Sequence, residues 1–227
     1  LDNLVVVPFT KEFSEQSAQQ YIKDFLVDRF HPSLIIIGYD HKFGNNREGD
    51  YRLLEQMGEQ YNYTVKEIPQ QLINEVAISS TKIRQALSNG EVETANQLLG
   101  YPYFFKGNVI EGNKLGRKLG YPTANLQIQD LDKLVPANGV YAVEAQIEGE
   151  TRILKGMMNI GNRPTVDGTR RSVEVHLFDF NEDIYNRHLK VYVRFHLRNE
   201  VKFEGLEKLV EQLHKDKEIS LSKLADI

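Results

Sequence analysis

One stretch of the sequence concentrates residues that can bind a polyphosphate and its metal ion. It reads Gly-Arg-Lys-Leu-Gly-Tyr-Pro-Thr-Ala-Asn over residues 116–125 and follows a further glycine and lysine at Gly112 and Lys114. Glycines allow backbone N–H groups to approach phosphate oxygens, and cations neutralise phosphate charge. Thr123 and Asn125 then add a hydroxyl and a carboxamide on a segment that proline stiffens. The predicted phosphate contacts are Gly112, Lys114, Gly116, Arg117, Lys118 and Gly120.

The glycines alone are a weak signal. The Gly-Lys-Ser/Thr of a Walker loop is absent at the required spacing, and the sequence contains no Gly-x-Gly-x-x-Gly. Without their neighbours, these glycines suit an ordinary hairpin connection whose lysines face water. The Pro-Thr-Ala-Asn that follows them at residues 122–125 favours the phosphate-binding interpretation.

A second segment carries a candidate general base. It begins with Asn-Ile-Gly-Asn-Arg-Pro-Thr at residues 159–165, and Glu174 lies further along the same region. Alternation over residues 173–178 places Glu174 on one face of a strand with two ring side chains and the valines on the other. A carboxylate held rigidly beside rings can accept a proton from an alcohol. The alternative is a solvent-facing glutamate that pairs with Arg170 or Arg171.

These segments resemble the riboflavin kinase family. The family carries Gly-Arg-x-Leu-Gly-x-Pro-Thr-Ala-Asn, Asn-Ile-Gly-x-Arg-Pro-Thr and Val-Glu-x-His-x-x-Asp-Phe, and the chain has all three in this order. The resemblance implies ATP-dependent phosphorylation of riboflavin to FMN, with the glycine loop and Asn159 on the ATP and Mg²⁺ held by Thr123 and Asn125. It also implies that Glu174 receives the proton of the ribityl 5′-hydroxyl. Phosphoryl transfer depends mainly on such positioning and on charge neutralisation.

The composition is that of an ordinary globular chain. It has 227 residues, of which 41% are hydrophobic, a net charge of −4 and no cysteine. The length suits one large or two small domains, and the acidic total argues against a general nucleic-acid or anionic-membrane surface. No apolar run is long enough for a membrane span. The absence of cysteine excludes a disulfide scaffold and is compatible with a reducing cytoplasm. The expected partners are the small molecules that the resemblance implies, riboflavin, FMN and ATP, with no nucleic acid and no membrane.

Residues 1–100 alternate between strand and helix patterns, which is typical of an α/β nucleotide-binding domain. Strands are predicted at residues 4–9, 33–38 and 64–68, and helices at residues 14–30, 52–61 and from about residue 79 to Gly90. The segment of residues 38–50 directly follows a buried strand, where open parallel sheets present their ligand-binding loops.

Two parts of this region resemble the FMN adenylyltransferase half of bacterial bifunctional FAD synthetases. In the loop of residues 38–50, Asp40 takes the adenine- or flavin-proximal position, although His41 and Lys42 stand where the family usually has Phe-Arg. The other part is Ile-Ser-Ser-Thr-x-x-Arg at residues 78–84, a segment that contacts ATP in the family. The contacts implied here are Ser79, Ser80, Thr81 and Arg84. An ordinary helix N-cap is the alternative for this segment.

The N-terminal His-x-Gly-His element of that family has no match in the sequence. We therefore expect an incomplete, Rossmann-like nucleotidyltransferase domain. Either residues before Leu1 complete it, or the adenylyltransferase reaction has been lost, and we favour the first because a truncated parallel sheet would leave apolar faces uncovered. Adenylylation of FMN to FAD is expected only from a longer protein with residues before Leu1, and not from these 227 residues alone.

After Gly100 the pattern changes to strands punctuated by glycine, which predicts a small antiparallel β-barrel. The predicted strands are residues 103–110, 139–147, 152–158, 172–180 and 189–197. A closing helix over residues 203–217 is predicted to pack on the barrel through one apolar stripe, formed by Leu206, Leu209, Val210 and Leu213.

The expected organisation is a partial FMN adenylyltransferase domain over residues 1–100 and a riboflavin kinase domain over residues 101–227. The alternative function is a β-barrel module that binds nucleic acid through the basic glycine-rich loop, as related barrels do with their loops. The net negative charge of the chain weighs against that alternative.

Overall fold

The computed structural model describes residues 2–70, 72–73, 76–130, 132–165 and 168–225. The chain divides into two compact units, Leu1–Ala77 and Ile78–Ile227. The helices between residues 78 and 100 thus belong to the same compact unit as the barrel. A boundary at residue 100 between two functional domains stays a prediction.

The first unit has a small core between helices and a two-stranded parallel sheet. Strand β1 pairs with β2 in register from Leu34↔Thr64 to Gly38↔Ile68. The elements in chain order are α1 (Lys11–Ser14), α2 (Ala18–Gln20), a π-helical stretch (Tyr21–Val27), α3 (Asp28–Phe30), β1 (Leu34–Gly38), a 3-10 turn (Asn45–Arg47), α4 (Tyr51–Tyr61), β2 (Thr64–Ile68), β3 (Leu72–Ile73) and β4 (Val76–Ala77). The buried apolar residues are Ile22, Ile37, Leu54 and Tyr63.

Two predictions for the first unit need correction. The long helix begins at Ala18 and not at Ser14, because Ser17 forms a capping box that starts a new helix there. The predicted strand over residues 4–9 is not regular structure. Its side chains are exposed, with Leu4 81% and Phe9 80% accessible, and no strand of the described chain pairs with it.

The second unit is a closed antiparallel barrel of six strands. Around the barrel the order is β10-β5-β6-β9-β8-β7, and β7 closes it by pairing with β10. The strands are β5 (Tyr103–Ile110), β6 (Ala124–Gln127), β7 (Gly139–Ile147), β8 (Leu154–Thr165), β9 (Gly168–Leu177) and β10 (His188–Arg198). The inward-facing side chains of alternate positions, such as Val143, Val175 and Val191, fill the interior completely.

Strand β6 is the barrel strand that the sequence pattern missed. It has only four residues, Ala-Asn-Leu-Gln, and that is too short for alternation to be recognised. Strand β8 continues to Thr165 and β9 starts at Gly168, so this hairpin is longer on both sides than predicted.

Four helices accompany the barrel. They are α5 (Ser80–Asn89), α6 (Val92–Leu99), α7 (Leu115–Lys118) and α8 (Leu206–Ala225). Helix α5 starts at the N-cap Ser79 and stops at Gly90, whose φ of 83° lies in the left-handed region, as predicted. Helix α8 is longer than predicted, and Leu206 is 57% exposed instead of packed. The helix buries Asp216, Ser220 and Leu224 further along the same stripe.

Candidate functional site

Three neighbouring strands place three polar side chains in a row. Glu174 of β9 lies directly opposite Asn125 of β6 on one side and opposite Asn159 of β8 on the other. Opposed residues in a sheet point to the same face. Val173 and Val175 point into the barrel core, so the row lies on the outer face.

Thr123 joins this row from the segment before β6. Its hydroxyl donates a hydrogen bond of 3.2 Å to Oε2 of Glu174. The alternative in which Arg171 pairs with Glu174 is wrong, because that guanidinium donates to Asn138 Oδ1 and to the carbonyls of Val135 and Pro136. The side chain of Arg170 lies outside the described part of the structure. The structure therefore brings the predicted metal-binding pair and the predicted base together.

The glycine-rich segment packs closely over this row. A Cβ built on Gly112 would lie 2.5 Å from Cγ of Asn125, and one built on Gly116 would collide with the carbonyl oxygen of Tyr121. Glycine is needed at both positions for close approach. Residues Leu115–Lys118, which include Gly116, form the single turn of α7, where the sequence predicts a loop. Gly120 ends that turn with a φ of 81°, again in the left-handed region.

The three cations of this segment have different surroundings. Arg117 lines a cleft beside Thr123. Lys114 forms an exposed ion pair of 3.0 Å with Glu111 and lines a second cleft. Lys118 is exposed to solvent. Arg117 and Lys114 therefore each border one of these two clefts, whereas Lys118 lines neither.

Two clefts meet at Thr123. The first, which we name the turn cleft, has a volume of about 490 Å³ and is lined by Val109, Arg117, Pro122, Thr123, Ala124, Val175, Leu177 and residues 180–185. The second, the glutamate cleft, has a volume of about 300 Å³. Its polar lining includes Lys114, Thr123, Asn159, Glu174, His176, Arg198, Glu200 and Asp216. Both volumes suit small-molecule ligands.

Apolar side chains from the barrel and from α8 form the walls of the glutamate cleft. They are Leu115, Leu119, Tyr121, Val140, Met157, Met158, Val201, Phe203, Leu209 and Leu213. Sequence reasoning missed most of this wall, because its residues come from separate strands and a helix with no common motif. Tyr141 does not belong to this wall, because it is fully buried in the barrel core, where burial raises its pKa to about 12.

A buried ion pair fixes the edge of the same cleft to α8. Arg198 of β10 donates to both carboxylate oxygens of Asp216, at 3.0 Å from Nε to Oδ1 and 2.7 Å from the terminal nitrogen to Oδ2. Gln212 adds a third donor at 2.8 Å. Asp216 is only 1% exposed, so these bonds supply the compensation that a buried carboxylate needs.

The predicted adenylyltransferase residues divide between the two units. Asp40 is exposed in the turn after β1 of the first unit. Ser79 caps α5 in the second unit, where its hydroxyl accepts a hydrogen bond of 3.3 Å from the Lys82 amide. Thr81 and Arg84 are exposed on the same helix, as is Ser80. The N-cap that the sequence offered as an alternative is therefore present, and the four residues share one helix end.

The chemistry of the donors at Thr123 and Asn125 suits a hard divalent cation. Hydroxyl and carboxamide oxygens are ligands that Mg²⁺ accepts, and Mg²⁺ sites on nucleotides use one or two protein groups together with phosphates and water. Within the described residues there is no cluster of three or more His, Cys, Asp or Glu side chains that would form an all-protein metal site. The donor set thus fits a metal that arrives with its nucleotide.

Two family models match the chain, one for each part. The family described as riboflavin kinase matches residues 99–224, and the family described as FAD synthetase matches residues 1–82. The six-stranded barrel with its Thr123–Glu174 pair is thus a riboflavin kinase-type barrel.

Curated relatives match along nearly the whole chain. The bifunctional riboflavin kinase/FMN adenylyltransferase of Haemophilus influenzae is 39% identical over 219 residues, covering 96% of this chain and 70% of the relative. The protein of the same name from Escherichia coli strain K12 is 40% identical over 216 residues, covering 95% and 68%. The chain belongs to the bifunctional riboflavin kinase/FMN adenylyltransferase family.

A solved structure shows the same fold. It is a crystal structure from Streptococcus pneumoniae, titled as a macrolide-efflux protein, with a TM-score of 0.84 and 34% identity over 93% of this chain and 67% of that chain. None of the described helices is both long and apolar enough to cross a membrane. Both matching family models describe flavin-nucleotide enzymes, so the alternative of a nucleic-acid-binding barrel has no support among these relatives.

Proposed function

We propose that the second unit transfers the γ-phosphoryl group of ATP to the ribityl 5′-hydroxyl of riboflavin, giving FMN and ADP. The observation that carries this proposal is the position of Thr123, which lines both clefts and donates a hydrogen bond to Glu174. A reaction between two substrates requires their reacting groups to meet at one point. The relatives and the riboflavin kinase family model support the same pair of substrates.

Riboflavin is assigned to the glutamate cleft. Glu174 lines that cleft, and a general base must lie within hydrogen-bond reach of the proton that it accepts. The apolar walls, with Met157 and Met158 from β8 and Leu209 and Leu213 from α8, suit a flat and largely apolar ring system.

ATP is assigned to the turn cleft, where Arg117 supplies positive charge beside Thr123. The terminal phosphate must enter the glutamate cleft to react. Its proposed contacts are the residues of the glycine-rich segment and β8 that line that cleft, Lys114, Gly116 and Asn159. Gly112, Lys118 and Gly120 are proposed to shape the segment that covers the phosphates, and Gly112 does so by packing directly on Asn125.

The proposed chemical step is an in-line displacement. The ribityl oxygen forms a bond to the γ-phosphorus, its proton passes to the Glu174 carboxylate, and the bond from the γ-phosphorus to the bridging oxygen of ADP breaks. Thr123 and Asn125 would hold Mg²⁺, which offsets phosphate charge when bound. The hydrogen bond from Thr123 keeps the Glu174 carboxylate at the junction of the two clefts.

For the other half of the family's activity, we infer that the FAD synthetase-type domain transfers the adenylyl group of ATP to FMN, giving FAD and pyrophosphate. The FAD synthetase match over residues 1–82 supports this inference. In the first unit the proposed nucleotide contact is Asp40. In the second unit the proposed contacts lie at the start of α5 and are Ser79, Ser80, Thr81 and Arg84. Incubation of the chain with FMN, ATP and Mg²⁺ should be analysed for FAD separately from the kinase assay.

The kinase proposal is tested by incubating the chain with riboflavin, ATP and Mg²⁺ and separating the flavins by chromatography. We expect FMN and ADP to form in equal amounts, and to form only when both substrates and the metal are present. ADP production without FMN would show that water and not riboflavin is the acceptor. Failure to produce either product from folded protein would refute the proposal.

A further inference from the structure

The segment that carries Thr123 is fixed by side chains and not by the sheet. The ladder between β6 and β9 consists of Ala124↔Val175 and Asn125↔Glu174. Thr123 lies just beyond the last rung, so its backbone is outside the pairing that holds its neighbours. Its position therefore depends on contacts made by the residues around it.

One such contact comes from His176, two residues after Glu174 on the same face of β9. Nδ1 of His176 lies 2.7 Å from the carbonyl oxygen of Pro122. A carbonyl oxygen only accepts, so Nδ1 must carry the proton and donate it. The bond holds the peptide group that joins Pro122 to Thr123. This hydrogen bond therefore links the segment to β9 at a position where the β6–β9 ladder has no further residue pair.

The surroundings of His176 keep its ring in one orientation. The side chain is 7% exposed and packs edge-on against the rings of Tyr121 and Phe178, with centroids 5.1 and 5.6 Å away. The Tyr121 hydroxyl is itself 2.6 Å from Nδ1 of His214 on α8. Burial lowers the pKa of His176, which favours the neutral ring with a single donor. A ring locked on both sides is a rigid support for a backbone carbonyl.

We propose that His176 is a positioning residue of the kinase site, which holds Thr123 at the junction of the two clefts through the Pro122 carbonyl. The proposal rests on the proposed function, because it gives Thr123 its role at the Mg²⁺ and ATP phosphates. It adds a residue that borders the glutamate cleft but takes no part in the chemical step proposed above. Its effect is transmitted through one hydrogen bond.

The decisive comparison is between two amide substitutions of His176. In His176→Asn the amide nitrogen takes a place close to that of Nδ1, so the bond to Pro122 can form. In His176→Gln the amide lies one bond further out, near the place of Nε2, and the bond is lost. His176→Phe keeps an aromatic ring but has no hydrogen-bond donor. Phe178→Leu is the matched control, because it loosens the buried cluster beside His176 and leaves the Nδ1 donor in place.

We expect His176→Gln and His176→Phe to raise the KM for Mg·ATP about tenfold, which corresponds to loss of one hydrogen bond to a carbonyl, and to require more Mg²⁺ for half-maximal rate. His176→Asn and Phe178→Leu should keep both values within about twofold of wild type, a range well below the effect of one such bond. If all three His176 variants behave alike, or if Phe178→Leu has the same effect, His176 is a packing residue and the proposal is wrong. Thermal unfolding of each variant confirms that folded protein is being compared.

A readout without catalysis separates this proposal from the function itself. Two-bond ¹H–¹⁵N spectra of the wild-type chain report which nitrogen of each histidine carries the proton. We expect His176 to be protonated at Nδ1 in the absence of ligands. Protonation at Nε2 alone would overturn the proposal even if FMN is formed, whereas a chain that makes no FMN but shows the Nδ1 proton would refute only the kinase assignment.

Discussion

Replacement of Gly112 by alanine tests whether the glycine segment and the metal-binding pair act as one unit. The added Cβ would lie 2.5 Å from Cγ and 2.6 Å from Oδ1 of Asn125, whereas carbon atoms in ordinary contact are roughly 1 Å further apart. Either the segment lifts or the Asn125 carboxamide moves by about that amount. Displacement of a catalytic group by about 1 Å can cost about a hundredfold in rate, so we expect kcat/KM to fall by about that factor.

The matched control for Gly112→Ala is Gly149→Ala. Gly149 has a φ of 85° in the turn between β7 and β8, and an added Cβ meets nothing within 4 Å. This control carries backbone strain of about 1 kcal/mol without touching the site. FMN formation should be measured at varied ATP and varied Mg²⁺, together with the Kd for Mg·ADP from calorimetry. A Gly112→Ala protein with wild-type kcat/KM and wild-type Mg·ADP affinity would show that Asn125 is not part of the nucleotide site.

Three further changes address separate parts of the second unit. Glu174→Gln should lower kcat for FMN formation by about 10² to 10⁴ and leave the Kd of Mg·ADP unchanged, because a general base is removed without loss of volume; retained turnover in a rapid-quench assay would exclude Glu174 as the base. Arg198→Met should reduce the free energy of unfolding by about 3 kcal/mol in urea titrations, since it leaves the Asp216 carboxylate buried without its guanidinium partner. A reduction of less than about 1 kcal/mol, which is typical of a solvent-exposed ion pair, would contradict this prediction. Burial lowers the pKa of His176, so the unfolded chain binds the proton more readily than the folded chain, and the free energy of unfolding should fall as pH drops below about 6.5. His176→Asn should reduce that fall between pH 5 and 7. Parallel curves of unfolding free energy against pH for the two proteins would contradict the lowered pKa of His176.

The barrel was largely predictable because its strands alternate clearly. Alternation places Val173, Val175 and Leu177 on one face of β9 and Glu174 on the other, and the structure buries the first face in the barrel core. The short strand β6 was not predictable, because four residues give too little alternation to distinguish a strand from a loop. Its existence depends on pairing with β5 and β9, which are distant in sequence. Tertiary pairing, not local preference, makes this segment a strand.

The apolar run at residues 4–9 illustrates the opposite error. Its composition is that of a strand, but a strand needs a partner that satisfies its backbone groups, and the described chain supplies none. The same limit applies to α8, where Leu206 fits the predicted stripe but is exposed, while the polar Asp216 is buried. An apolar stripe in the sequence identifies which face of a helix is buried. It does not identify which turns of the helix contact the barrel. The Arg198–Asp216 ion pair shows where the helix contacts the barrel, and the sequence pattern does not reveal that these two residues meet.

The motifs point to candidate site residues but not to their arrangement. They single out Thr123, Asn125, Asn159 and Glu174, and the register of three strands brings these residues together, since each lies on the outer face at or beside one level of the barrel. A strand on either side of Glu174 contributes an asparagine at that level, so a shift of one residue in either pairing would turn one of them inward. Register is therefore a condition for the proposed chemistry as much as the residue types are. Gly112 packs on Asn125 and His176 holds the Pro122 carbonyl, so contacts other than strand pairing act at both ends of the Pro122–Asn125 segment, and substitutions at Gly112 and His176 should change affinity for the nucleotide before they change the fold.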